Sequence, residues 1–187
     1  VFLLVSLRLQ MLQVARLAPR VLGDATELVA AFLKTQQNPD GGFRDKSGDS
    51  DLYYTVFGLD ASLALQVELD KELIRSYLAG FGDGGDLDFV HLCSLIRCCS
   101  IAGLEADQVT ALGARLAPFR AQDGGFHPKT GSAVSTVYAN FLAYAAYQDL
   151  GRAVPDVLKM VQSFKHLETE GSWANERHVK TGATPAT

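Results

Sequence analysis

The side chains with the most chemical potential gather in three short stretches. Asp51-Leu52-Tyr53-Tyr54 and Tyr138 offer phenols, the first pair beside an acid. Such phenols either pack with their hydroxyls satisfied locally or wall an apolar ligand with a hydrogen-bonding rim. Asp86-Leu87-Asp88 leads into His91 and Cys93, which stand two apart and so face different ways on a helix. A metal pair is not expected there, and no Ser-His-Asp arrangement can be read from spacing. His127, His166 and His178 are expected in loops or at helix ends, facing solvent. Gly80 to Gly85 spells G-x-G-x-x-G, but a helix pattern precedes it where a dinucleotide site needs a strand, so it reads as a loop.

Composition narrows the partners. The chain has 187 residues, 48% apolar and 20% charged, which suits a globular core. Its formal charge is −4 with no Lys/Arg cluster, so a nucleic-acid partner is not expected. Cys93, Cys98 and Cys99 are an odd set within seven residues, a poor disulfide framework and a natural set of buried thiols in a reducing, cytoplasmic setting. The stretch Val1–Gln10 is too short to span a bilayer and lacks a basic leader, so no transmembrane segment is expected. Met11 is the first methionine, so residues 1–10 read as an upstream extension and 11–187 as one domain.

The segments that must position these residues repeat along the chain. Glycine-rich marks begin at Gly41, Gly84, Gly124 and Gly171, spaced 43, 40 and 47 residues apart, a period suited to one helical hairpin each. Before each mark lies an amphipathic helix. The first starts at Asp24 with Glu27 as a capping-box partner, the second at Asp70 with a stop at Gly80. The third spans about 106–119, and the fourth starts at Pro155. After the first three marks come runs of about 14 residues, apolar on nearly all sides, as interior helices are. Strands compete for these runs, but length and alanine content favour helix. The fourth such run would start near Pro185, so the fourth repeat reads as cut short. Asp40 and Asp123 read as turn acids, and Gly41, Gly42, Gly124 and Gly125 as turn formers. Phe43, Phe126 and Trp173 read as plugs between repeats. Asp51 either caps its helix or stands as a polar group at a cavity mouth.

The expected fold is therefore all-α, with inner apolar helices covered by outer amphipathic ones. That arrangement describes an α/α toroid, incomplete or truncated here, with a straight solenoid as the rival. Its open apolar edge would suit a protein partner.

The turns QNPDGGF, AQDGGF and GSW resemble those of the protein prenyltransferase β-subunits and terpenoid cyclases, over roughly residues 24–187. The resemblance implies an α/α toroid and an isoprenoid or other hydrophobic ligand. It also implies a zinc site in the transferases, held by an Asp and a Cys from one repeat and a His from another. Tyr54 stands in the place of that His, Ser135 in that of the Asp and Val137 in that of the Cys, so no metal and no cofactor are expected. Tyr138 and Lys129 match positions that contact the diphosphate. Asp88 lines up with an acid of the family, followed by Val90 in place of an arginine. The D-x-D-D acid of the cyclases stops one acid short at both Asp49-Ser50-Asp51 and Asp86-Leu87-Asp88. The resemblance thus implies a prenyltransferase-β-like protein, with a non-catalytic scaffold as alternative and a cyclase as the remotest reading.

Overall fold

The computed structural model describes residues 6–103, 105–169, 171–179 and 181–182. It is mainly helical. In chain order the helices are α1 (Leu7–Ala15), α2 (Ala18–Leu22), α3 (Ala25–Gln36), α4 (Leu52–Ala64), α5 (Lys71–Ala79), α6 (Phe89–Ala102), α7 (Ala106–Leu116), α8 (Val137–Asp149) and α9 (Val157–Ser163). Two small antiparallel hairpins accompany them: β1 (Phe43–Arg44) with β2 (Ser50–Asp51), and β3 (Glu168–Thr169) with β4 (Ser172–Trp173). The expected run of a fourth inner helix near Pro185 lies outside the described residues. Among the described residues no helix is long and apolar enough to cross a membrane.

The three apolar runs are helices, α4, α6 and α8, and α6 packs between the other two. Burial follows from their composition. Leu59, Ile96, Cys98 and Ala143 are fully enclosed, and α6 alone buries nine side chains. The amphipathic helices cover this row: α3 lies on α4, while α5 and α7 lie on α6.

Each inner helix begins the same way. The N-cap side chain accepts the backbone N–H three residues on: Asp51 from Tyr54, Asp88 from His91, Thr136 from Ala139. The first three glycine-rich turns are likewise closed each by its own acid. Asp40, Asp83 and Asp123 accept N–H bonds from Gly42, Gly85 and Gly125, all at 3.0 Å. Gly41 (φ +100°) and Gly124 (φ +91°) sit where the next outer helix crosses: a Cβ would meet the Leu73 carbonyl in the first case and Lys159 in the second. Phe43 and Phe126 then plug the junctions, 4% and 0% exposed. Their backbone N–H groups donate to Thr55 Oγ1 (2.9 Å) and Asn140 Oδ1 (2.6 Å), one turn inside the inner helix that follows.

Several sequence expectations need correction. Trp173 is 38% exposed and only flanks Phe164, because no complete hairpin packs over it among the described residues. The fourth outer helix starts at Val157 rather than Pro155, since Asp156 is held in the left-handed region (φ 48°). Asp24 makes no side-chain cap. Gly80 ends its helix in ordinary right-handed geometry, and the positive φ falls on Gly82. Helix α1 runs through residue 10, and Arg8 is bonded to three inner helices.

Candidate functional site

The N-terminal ends of α4, α6 and α8 bring most of the expected site residues together. Asp51 caps α4 through Oδ1, and its Oδ2 lies 3.2 Å from His91 Nε2 on α6. Asp88 caps α6 through Oδ1, and its Oδ2 lies 2.8 Å from His91 Nδ1. His91 therefore bridges the caps of two neighbouring helices. Burial opposes charge on its ring, but the hydrogen bond and charge of Asp88 and those of Asp51 outweigh it and raise the pKa above the usual histidine value. Burial works the other way on Asp88, and its bonds from the His91 backbone and ring hold it below the usual range.

Tyr53 follows Asp51 by two positions and is 39% exposed, stacked edge-on against Phe57 at 5.0 Å. Tyr138 is the second residue of α8, its N–H donating to Asn175 Oδ1 (2.9 Å). Burial, followed by the neighbouring Tyr53 hydroxyl, pushes the Tyr138 phenol up. Tyr53 on α4 and Tyr138 on α8 thus stand close enough for one hydroxyl to act on the other. Tyr54 is half-buried and touches only the edge of this group, its ring centroid 6.1 Å from that of Tyr53. Lys129 does not join it. Its backbone is tied to His127 and Ser132, its side chain is exposed, and no bond links it to Tyr138 among the described residues.

Further along the same faces of α4 and α8 lies a cavity of about 500 Å3. Phe57, Phe141 and Tyr144 supply aromatic walls, and Ala61, Ala64 and Ala145 keep the space clear. Helix α1 closes its far side with Met11 and Leu12. The floor is charged. Asp149 is 2% exposed and takes Arg8 Nε on Oδ1 (3.1 Å) and Arg97 Nε on Oδ2 (3.0 Å). Arg8 also reaches Asp60 Oδ1 (3.3 Å) and Ser100 Oγ (3.3 Å). Burial pushes the Asp60 carboxyl up, against the pull of Arg8 and Arg97.

Sequence reasoning missed two parts of this site. The spacing of His91 and Cys93 gives His91 no partner, whereas its place three residues after an N-cap acid is the usable signal. Arg8 and Asp149 carried no signal, being 141 positions apart. His127, expected in solvent, is half-buried and organises its loop by accepting from Lys129 N–H at 2.9 Å.

The positions matched to zinc ligands do not make a ligand set. Ser135 Oγ is committed to Asp123 Oδ2 (3.0 Å) and Ser163 Oγ (3.1 Å), Val137 is fully buried, and Tyr54 offers only a phenol. Cys93, Cys98 and Cys99 are free and buried, and burial raises all three thiols, Cys99 to about 11, so none is a ready thiolate. Comparison with family models, with curated proteins and with solved structures returned no match.

Proposed function

We propose that this chain is a prenyltransferase-β-like repeat protein, its inner and outer helices forming part of an α/α toroid, and that it holds an isoprenoid-type ligand against its inner helices. The observation that carries the reading is the cavity of about 500 Å3, walled by Phe57, Phe141 and Tyr144 and cleared by alanines from α4 and α8. Its size and its apolar lining with a few convergent polar groups suit a small hydrophobic molecule. Tyr53 and Tyr138 extend the wall one turn towards the helix starts. The reading assigns binding; transfer of an isoprenoid group would have to proceed without the zinc set of the resembled enzymes. The buried free thiols favour a reducing, cytoplasmic setting.

A second reading, a scaffold for a protein partner, rests on different residues. Val21, Leu28 and Phe32 near one end are 84%, 73% and 59% exposed, and Leu158 and Val161 on α9 are 74% and 56% exposed. These apolar side chains of α2, α3 and α9 stand open, with nothing packed on them among the described residues.

Calorimetric titration with farnesol and with farnesyl diphosphate separates the two. The ligand reading expects saturable one-to-one binding of at least one of them. It also expects at least a tenfold loss in Ala145→Trp, whose indole would fill the cavity while the melting temperature stays close to that of the parent. Absence of saturable binding by both sinks the ligand reading and leaves the scaffold.

A further inference from the structure

The charge balance of the cavity says which isoprenoid it would hold. Arg8 and Arg97 are the cations that line it, and both are already paired with the two lining carboxylates. Asp149 takes one arginine on each oxygen, and Asp60 takes Arg8 again. Two guanidinium groups against two carboxylates leave the floor formally neutral. At the other end of the inner helices the charged neighbours are Asp51 and Asp88, with His91 between them. An anionic head therefore meets spent cations at one end and two acids at the other.

A diphosphate would have to give up its own hydration at a floor with no net positive charge, and to gain a full ion pair it would have to draw Arg8 or Arg97 from Asp149, leaving an enclosed carboxylate unpaired. A hydroxyl has no such cost. Arg97, which lines the cavity, donates to Asp149 through Nε, and its terminal N–H groups have no hydrogen-bond partner among the described residues and remain donors. Gln148 and Asp60 line the same floor; the Gln148 oxygen already accepts from Leu7 N–H, its amide N–H groups can donate, and the Asp60 carboxylate can accept. The polar end of the site is thus rich in hydrogen-bonding groups and has no net charge to offer.

We propose that the cavity selects an uncharged long-chain alcohol over the corresponding diphosphate ester. This rests on the ligand-binding reading above and deepens it.

The experiment compares farnesol, kept below its aggregation concentration, with farnesyl diphosphate on the full chain at 150 mM salt. The alcohol is expected to bind at least tenfold more tightly. Equal or tighter binding of the diphosphate overturns this proposal and leaves the ligand-binding reading standing; no binding of either compound overturns both. Asp60→Asn gives the floor one net positive charge, and in that variant the preference should move towards the diphosphate by at least tenfold. An unchanged ratio in a folded Asp60→Asn protein also overturns the proposal. The parent comparison decides the matter by itself if that variant does not fold.

Discussion

Asp149, the last residue of α8, accepts a hydrogen bond from Arg8 Nε of α1 at 3.1 Å, across 141 positions of chain. With Arg97 on its other oxygen at 3.0 Å, this carboxylate ties α1 to α6 and α8, and the Arg8 reach to Asp60 adds α4. Removing one member of such a cluster strands the rest in a low-dielectric site. Asp149→Ala is therefore expected to cost about 3–5 kcal/mol in urea denaturation. Amide exchange in α1 should rise more than in α6. A loss under about 1 kcal/mol would show that the cluster holds nothing.

The histidine bridge makes stability depend on pH. His91 has a raised folded pKa, so its contribution is complete below its unfolded value of about 6.5 and is lost as pH rises through the folded value. Asp88 has a lowered folded pKa, so its contribution is present above about 3.9 and is lost as pH falls through the folded value. The urea midpoint should therefore fall in the parent as pH rises from about 6.5 through the raised folded value of His91. His91→Gln should flatten that decline, because no charge remains to be lost. An unchanged decline in His91→Gln would assign it to other groups.

The glycine turns should divide into two classes. At Gly41 a methyl group would need φ +100° and would meet the Leu73 carbonyl oxygen at 2.5 Å, and at Gly124 it would meet Lys159 Cβ at 2.5 Å. At Gly48 (φ +97°) and Gly131 (φ +73°) nothing lies within 4 Å. Alanine should cost about 1–2 kcal/mol at the open pair, from backbone strain alone. At Gly41 and Gly124 it should cost clearly more, about 3 kcal/mol or above, because overpacking adds to the strain. Thermal denaturation of the four variants tests the order; similar losses at all four would refute the crossing-helix explanation.

Tyr77 has a buried hydroxyl with no hydrogen-bond partner among the described residues, and burial pushes its pKa up to about 12. Thr55 Oγ1 offsets part of that rise, but its geometry makes no hydrogen bond to this hydroxyl, because it already donates to the Asp51 carbonyl (2.6 Å) and accepts from Phe43 N–H (2.9 Å). Tyr77→Phe should raise stability by about 0.5–1 kcal/mol, since it removes a desolvated hydroxyl and keeps the ring that lies over Gly42. Destabilisation by Tyr77→Phe would reveal a bond to that hydroxyl.

The sequence by itself determined what depends on neighbours along the chain. Apolar residues at helical spacing, acids before Gly-Gly, and Asp51, Asp70 and Asp88 three residues before their amide partners set the helices and turns, because these bonds close within four residues. Composition also determined that the runs 52–64, 89–102 and 137–149 would be interior, since no polar face was available to meet water. Only the tertiary structure decided which polar groups meet. His91 reaches Asp51 across 40 positions and Arg8 reaches Asp149 across 141, and such pairings depend on how far one helix is rotated and displaced against another. A one-residue change in rotation turns a side chain by about 100° and would separate both pairs while leaving every local signal intact. The cavity was hidden for the same reason: alanines at 61, 64 and 145 are ordinary helix formers until α4, α8 and α1 are set around one space.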